Sequence, residues 1–293
     1  MKSILEALQS GLYIGDGAMG TQLMELGLAA GSCAEIWNIE RKADVVGVLA
    51  AYREAGAQAL IANTFGGSRW KLKLSGLERS VHEINVAAVE AAREAADRSA
   101  WVFGDMGPTG RLVEPLGADP RESFVDVFRE QAEALASAGP DAIILETFGS
   151  LDEILAALEA AKSTGLPVIA SMTYSRDASG GFRTMMGEEI SAAAAALVEA
   201  GADVIAANCG TGPADYVEIT AALVGAVQLP VMVQPNAGVP RLSKGRTVFP
   251  MGPEEMAAFV RPIADAGARI IGGCCGTTPA HIRAMRAAAS LSG

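Results

Sequence analysis

The sequence has few positive charges and few aromatic side chains. Lysine and arginine total 23 against 34 acidic residues, which leaves a net charge of −11. Because a phosphate backbone requires a basic surface, this balance argues against a nucleic-acid partner. Aromatic residues make up only 5% of the chain, and the abundance of alanine and glycine favours helices packed closely on a sheet over an aromatic-rich β-sandwich.

The sequence also lacks long hydrophobic runs and is poor in cysteine. No stretch reaches the roughly 18 consecutive apolar residues of a membrane span. The N-terminal segment has neither the apolar run nor the small-residue cleavage site of a signal peptide, so we expect a cytoplasmic protein without a membrane partner. The four cysteines do not suggest a disulfide framework in that compartment, and Cys274 and Cys275 are adjacent, a poor arrangement for a structural disulfide.

Four similar segments repeat along the chain. Each has an Ala-Gly pair that closes a helix-like stretch, then a short apolar run, then a polar or sulfur-bearing pair; they span 55–65, 138–148, 200–210 and 266–276. Glycine after a helix supplies the left-handed cap. The continuous apolar run is typical of a strand that is buried on both faces of a parallel sheet.

Further strand candidates lie between these segments, at 12–15, 101–104, 167–172 and 230–234, which brings the total to eight. Helical patterns fill the intervals, at 41–55, 77–97, 120–138, 151–163, 188–200, 213–224, 253–266 and 279–289. Strict alternation of strand and helix predicts an α/β fold, a (β/α)8 TIM barrel that forms one domain over residues 1–293. A doubly wound open sheet is the structural alternative.

The predicted strands all deliver polar or sulfur-bearing groups at their carboxyl ends, where such barrels carry their chemistry. These groups are Asp16, Gly17, Asn63, Thr64, Asp105, Glu146, Thr147, Ser171, Asn208, Cys209, Gln234, Asn236, Cys274 and Cys275. For any one of them, a strand-end cap or a turn former is the simpler interpretation. Their convergence on a single rim predicts a functional site.

Three cysteines share that rim, because Cys209 ends the sixth strand and Cys274 and Cys275 end the eighth. Thiolates are soft ligands that suit zinc, and a catalytic zinc has three protein ligands and an open fourth position. A substrate thiol in that position would lose its proton yet stay nucleophilic, which fits alkylation at sulfur. The alternative is that the cysteines are buried as small hydrophobic side chains. A fourth thiolate would close the site, so we interpret Cys33 as a non-ligand.

The motifs resemble those of the homocysteine S-methyltransferases, which include the homocysteine module of cobalamin-dependent methionine synthase and the betaine–homocysteine methyltransferases. The matching stretches are GDGAMGT from Gly15, ANTF from Ala62, GDMGPTG from Gly104, ETF from Glu146, NCG from Asn208, PNAG from Pro235 and GGCCGTTPAHI from Gly272. They cover nearly the whole chain in the order of the family. The pairing of GGCCGT with NC is its most specific element.

The resemblance implies a role for each matching residue. Cys209, Cys274 and Cys275 would bind Zn2+ and activate the thiol of homocysteine. Glu146 would hold the homocysteine amino group, and the segment with Asp16 and Gly17 would line the amino-acid site. Asn208 and Asn236 would belong to the same substrate-binding rim.

The donor of the methyl group stays open at this point. The motifs lean toward the methionine-synthase branch, and the sequence has no D-x-H-x-x-G corrinoid pattern and no room after the last helix for a cobalamin module. We therefore expect methylcobalamin on a separate corrinoid protein, with betaine or another small molecule as the alternative. A third possibility is a non-catalytic homocysteine-binding subunit of a split methionine synthase. A small basic cluster, Arg241, Lys244 and Arg246, is interpreted as solvated surface.

Overall fold

The computed structural model describes residues 2–243 and 246–290. Lys244 of the expected basic cluster lies outside these residues, and so do the ends of the predicted domain at Met1 and 291–293. Arg241 lies within them and is exposed. In the part of the chain that is described, no helix combines the length and the apolar composition needed to cross a bilayer.

Eight parallel strands form a barrel. We label them in chain order as β1 Tyr13–Ile14, β2 Ala59–Ile61, β3 Trp101–Met106, β4 Ala142–Phe148, β5 Val168–Met172, β6 Val204–Asn208, β7 Val231–Gln234 and β8 Ile270–Ile271. Consecutive strands from β2 to β8 pair in parallel, and β8 pairs with β1. A parallel bridge between Gly15 and Ala59 joins β1 to β2. The sheet therefore closes on itself, which confirms the predicted TIM barrel over the open-sheet alternative.

Each strand is followed by a helix that packs outside the barrel. The helices are α1 Lys42–Glu54, α2 Val81–Ala96, α3 Arg121–Ser137, α4 Leu151–Lys162, α5 Ile190–Glu199, α6 Pro213–Ala226, α7 in the two segments Pro253–Ala257 and Val260–Asp265, and α8 Pro279–Ser290. All eight lie where the sequence predicts a helix. The break in α7 was not predicted. Pro262 has no N–H to donate to the carbonyl of Ala258, one helical turn earlier, and the helix is interrupted there.

Several short elements were not predicted. They are the helices Ile4–Ala7, Met19–Glu25, Trp37–Glu40 and Arg69–Leu72, the 3-10 turn Lys73–Ser75, the hairpin of Ser175–Arg176 with Phe182–Arg183, and the hairpin of Arg241–Ser243 with Arg246–Val248. All except the first lie in connections that leave the carboxyl end of a strand. The barrel therefore carries its additional structure at the end where its chemistry is expected.

The strands divide their side chains between two cores. One set fills the barrel interior, where Phe103, Ile144 and Met232 pack together. The short helix Ile4–Ala7 closes the amino end of that interior with Ile4 and Leu8. The other set faces the surrounding helices and belongs to a larger core. Each buried side chain of this size contributes about 1.5–3 kcal/mol, so the scaffold is well able to hold a rigid site at its other end.

Candidate active site

Three free thiols meet at the carboxyl end of the barrel. Cys209 directly follows β6, and Cys274 and Cys275 follow β8. The sulfur of Cys275 lies 4.0 Å from the sulfur of Cys209 and 4.0 Å from that of Cys274. All three sulfur atoms lie within 4.8 Å of one another. The topology thus joins two strand ends that are far apart in the sequence into one sulfur cluster.

The spacing of the sulfurs fits a tetrahedral metal ion. Zinc–sulfur bonds are about 2.3 Å long, so two sulfurs on one tetrahedral zinc stand about 3.8 Å apart. The observed separations of 4.0 Å need little adjustment to reach that value. The cluster uses three ligands and opens to a cavity, which leaves room for a fourth ligand from a substrate.

The electrostatics of the cluster favour loss of a proton. Hydrogen bonds from the thiols of Cys274 and Cys275 lower the pKa of Cys209 to about 3, against the opposing effect of burial. The same hydrogen bonding to Cys209 raises the pKa of Cys274. One thiolate is therefore stabilised by its two thiol neighbours, which is the state from which soft-metal binding starts.

A cavity of about 340 Å³ lies directly over the sulfurs. One part of its wall is apolar and includes Met19, Met24, Ile61 and Phe65. The polar part consists of the three thiols and the side chains of Thr21, Glu35, Asn63, Asp105, Glu146, Thr147 and Gln234. Among the described residues, no lysine, arginine or histidine lines the cavity. Its shape and chemistry suit a small ligand that carries a positive charge and a sulfur atom.

Two of the three carboxyl groups in the wall, Glu146 and Asp105, lie next to each other, and Glu35 is the third. Burial raises the pKa of Glu146 to about 7, while a hydrogen bond with Asp105 acts in the opposite direction. Burial, reinforced by the charge of Glu146, raises the pKa of Asp105 well above its usual range. Asp105 Oδ1 is buried without a hydrogen-bond partner in the described chain. None of the described residues that line the cavity is a cation, so the oxygens of this pair are available as acceptors for a cationic group of a ligand.

The residues predicted as substrate contacts divide into two groups. Gly17 and Glu146 line the cavity together with the three cysteines. Asp16, Asn208 and Asn236 are at most 2% exposed and lie behind the wall. Asp16 Oδ2 accepts a hydrogen bond of 2.7 Å from the Ile61 amide. The side chain of Asn236 hydrogen-bonds Cys209 and contributes to its lowered pKa.

Other cavity residues were missed by the sequence reasoning. Met19, Thr21 and Met24 come from the unpredicted helix Met19–Glu25, and Glu35 comes from a loop without regular structure. Glu35 Oε1 accepts a 2.7 Å hydrogen bond from the Gly66 amide. The GAMGT segment is the signal for this helix in the sequence, but as a motif it assigns no role to the individual side chains. Asp105 was identified as a strand-end polar residue but not as a partner of Glu146.

Cys33 lies apart from the sulfur cluster. Its thiol donates to Glu35 Oε2 over 3.2 Å, and it is not among the cysteines that lie within metal-binding range of one another. Burial raises its pKa to about 11, so it remains a protonated thiol near neutral pH. This placement agrees with its interpretation as a non-ligand.

The fold and the site define a TIM-barrel protein with a three-thiol centre at the carboxyl end of its strands. The model of the homocysteine S-methyltransferase family matches residues 13–289. The chain belongs to this family.

Curated relatives and solved structures agree with that assignment. The methionine synthases of Mycobacterium tuberculosis and Mycobacterium leprae are each 35% identical across 97% of this chain. The chain spans 25% of the length of each. The metallated form of the homocysteine methyltransferase MmuM from Escherichia coli superimposes with a TM-score of 0.80 at 26% identity, covering 98% of both chains. Its apo form gives a TM-score of 0.76.

Proposed function

We propose that the protein is a zinc-dependent S-methyltransferase that converts homocysteine to methionine. The observation that carries the proposal is the sulfur cluster of Cys209, Cys274 and Cys275 beneath a cavity with the Glu146–Asp105 pair in its wall. Sulfur ligands and a site for a cation are the two features that an amino-acid thiol needs. The family assignment supplies the substrate class.

The chain's own residues would prepare homocysteine for attack. Glu146, with Asp105 behind it, would accept the ammonium group of the substrate and so fix its backbone in the cavity. The three cysteines would hold zinc, whose chemistry is to stabilise the deprotonated substrate thiol as a nucleophile. The apolar wall of Met19, Met24 and Phe65 would exclude water from the reacting sulfur. The homocysteine sulfur then forms a bond to the methyl carbon of the donor. The bond between that carbon and the donor breaks, and its electron pair stays with the donor.

We propose methylcobalamin on a separate corrinoid protein as the donor, and the surface around the cavity supports this choice. Among the described residues, the exposed large apolar side chains concentrate in connections that leave the carboxyl ends of strands, with Val198 of α5 as the exception. They are Met24, Leu26, Ile39, Leu74, Leu112, Leu116, Met185, Met186, Val239, Leu242 and Val248. An apolar rim around a site is typical of a surface that meets another protein.

A small donor such as betaine is the second candidate. The absence of positive side chains among the cavity residues described above would suit a quaternary ammonium or sulfonium group. However, Phe65 is the only aromatic residue in the described lining, whereas an aromatic cage for such a cation needs several ring faces. Trp37 is 7% exposed and lies beneath the guanidinium of Arg41 at 3.8 Å, so its ring face is already occupied.

The metal content of the purified protein tests the central proposal. We expect one zinc per chain with three sulfur ligands by X-ray absorption, and four sulfur ligands after homocysteine is added. Cys209→Ala and Cys274→Ser should lose the zinc and the activity while keeping the circular dichroism of the folded barrel. Cys33→Ser is the matched control and should keep both. Full zinc content in the Cys274→Ser protein would contradict the site, and a wild-type chain that takes up no zinc would favour a non-catalytic homocysteine-binding subunit.

The donor is tested by assaying the isolated chain with homocysteine and three methyl donors. We expect slow formation of methionine from free methylcobalamin and none from betaine or S-methylmethionine. Rapid turnover with either onium compound would replace the corrinoid donor by a small molecule and leave the zinc site unaffected.

A further inference from the structure

The side-chain amide of Asn208 uses its full hydrogen-bonding capacity. Its Oδ1 accepts from the Thr147 amide at 2.9 Å and from the Ser171 hydroxyl at 2.7 Å. Its Nδ2 donates to Thr147 Oγ1 at 2.6 Å and to the sulfur of Cys274 at 3.7 Å. Two acceptor positions and two N–H groups are all that a primary amide possesses. Asn208 is fully buried, so no water competes for these bonds.

The orientation of this amide follows from its partners. The backbone N–H of Thr147 can only donate, so the atom facing it must be the oxygen. The nitrogen is therefore directed at Thr147 Oγ1 and Cys274 Sγ. A rotated amide would set an N–H against the N–H of Thr147. The contact with sulfur is thus an N–H···S hydrogen bond whose direction is fixed by the backbone.

The same amide connects four strands of the barrel. Asn208 ends β6, Ser171 lies in β5, Thr147 lies at the end of β4, and Cys274 follows β8. Thr147 has a φ of 63°, a left-handed conformation that is strained for a β-branched residue. The two hydrogen bonds between Thr147 and Asn208, one in each direction, hold Thr147 in that conformation at the edge of the cavity.

A donor on a thiolate changes the metal site that the thiolate builds. An N–H···S bond withdraws electron density from the sulfur and fixes the direction of its lone pairs. Mutation of a group that hydrogen-bonds a metal ligand in this way typically weakens metal binding about 10–100-fold. Asn236 places a second amide on Cys209, so two of the three sulfurs are supported by amides that lie behind the cavity wall.

We propose that Asn208 is a positioning residue, which orients the Cys274 thiolate toward the metal and tunes its charge through the N–H···S bond, and that it does not contact homocysteine. This inference rests on the proposed zinc site. In the NC motif, Cys209 would then bind the metal directly, and its neighbour Asn208 would support Cys274, the metal ligand that follows β8.

Asn208→Asp separates the sulfur contact from the strand connections. The carboxylate can still accept from the Thr147 amide and the Ser171 hydroxyl, and the Thr147 hydroxyl can turn to donate to it. Only the donor to Cys274 is lost, and an anion takes its place. Burial of the carboxylate should lower the melting temperature. We expect zinc binding to be weaker by about 10–100-fold in a chelator competition, and the sulfur-to-metal band of the Co(II)-loaded protein to shift to the red. Ser171→Ala, which removes one bond on the oxygen side, should leave affinity and spectrum unchanged.

A measurement on the wild-type chain avoids any dependence on how the variants fold. In protein loaded with 113Cd, the N–H···S bond should produce a scalar coupling between cadmium and one side-chain amide proton of Asn208. Absence of that coupling would overturn the proposal, and so would an Asn208→Asp protein with wild-type metal affinity, or an equal loss of affinity in Ser171→Ala. Failure of the wild-type chain to bind any of the three metals would instead refute the zinc site itself.

Discussion

At the scale of single residues, the site places acidic groups where none of the described cavity residues supplies a compensating cation. Glu146 and Asp105 share the wall of a cavity whose described lining contains no basic side chain. Burial raises the pKa values of both carboxyl groups. An ammonium group in the cavity would reverse this effect, because an opposite charge favours the ionised carboxylate. The acidic wall thus destabilises the folded protein when the cavity is empty, and an ammonium group bound in the cavity would remove that destabilisation.

Glu146→Gln should weaken homocysteine binding far more than zinc binding. The amide keeps the size of the side chain but removes the charge that would pair with the ammonium group, a loss of about 2 kcal/mol. Calorimetric titrations with homocysteine and with zinc measure the two affinities separately. Glu153→Gln, a buried carboxyl away from the cavity that accepts from Thr109, is the control for homocysteine binding. An unchanged homocysteine affinity in Glu146→Gln would remove Glu146 from the substrate site.

Glu146 also predicts how the stability of the metal-free protein depends on pH. Its pKa is about 7 in the folded chain and 4.5 as a free group. The folded state therefore binds this proton more tightly than the unfolded state does. The contribution of Glu146 to the free energy of unfolding is present below about pH 4.5 and is lost as the pH rises through 7. We expect Glu146→Gln to be more stable than the wild type at pH 8, by about 3 kcal/mol. The difference should disappear near pH 4.5 in urea unfolding experiments, and a constant difference would show that Glu146 does not titrate in this range.

At the scale of helices and strands, the barrel could be predicted from the sequence because four of its eight strands repeat one pattern and the other four lie at regular intervals between them. The apolar runs before Asn63, Glu146, Asn208 and Cys274 are continuous, and each follows an Ala-Gly helix end. Such a pattern is local, so it can be recognised without the fold. The break of α7 was also local, since Pro262 marks it, but the helical periodicity on both sides concealed it.

The cavity wall could be predicted only in part, because it depends on contacts between distant segments. The helix Met19–Glu25 has no cap from a side chain and is held by tertiary contacts, among them a hydrogen bond of 3.0 Å from the Ala18 amide to Thr277 Oγ1. The Glu146–Asp105 pair likewise requires β3 and β4 to be neighbours. The placement of Asp16, Asn208 and Asn236 behind the wall is a matter of side-chain direction, which a motif does not specify.

Gly47→Ala should stabilise helix α1. Gly47 lies in the interior of the helix, and an added methyl group would meet no other atom within 4 Å. Alanine restricts the unfolded chain and favours helix, so we expect a gain of about 0.5–1 kcal/mol in the free energy of unfolding. Gly67→Ala is the contrasting variant, since its methyl group would lie 2.4 Å from Asn85 Oδ1, and it should destabilise the protein. A loss of stability in Gly47→Ala would show that α1 is held by contacts beyond those described.

At the scale of the whole molecule, a metal would connect β6 to β8 across the rim of the barrel, and we expect the barrel to fold without it. The two hydrophobic cores lie below and around the site and share no residue with the sulfur cluster. Binding to the folded state alone stabilises it by about 2.7 kcal/mol at a hundredfold excess over Kd. A chelator should therefore lower the melting temperature by about 5 °C while unfolding stays cooperative. Scanning calorimetry measures this, and Cys274→Ser should be insensitive to the chelator.

The barrel closes into a ring between β1 and β2, and these two strands are weakly paired at that joint. One bridge, Gly15 to Ala59, pairs these strands, and the Gln58 amide donates to the Ile14 carbonyl beside it. The Ile61 amide is bound there by the carboxylate of Asp16 instead of a backbone carbonyl. Gly17 and Ile61, on the two sides of this joint, both line the cavity. Local unfolding of a closed barrel begins where its strands are least paired. We therefore expect the Ile61 amide to exchange with deuterium faster than the amide of Ile144 in β4. A ligand that fills the cavity would contact both sides of this joint. It should slow the exchange of the Ile61 amide and leave the exchange rate of the Ile144 amide unchanged.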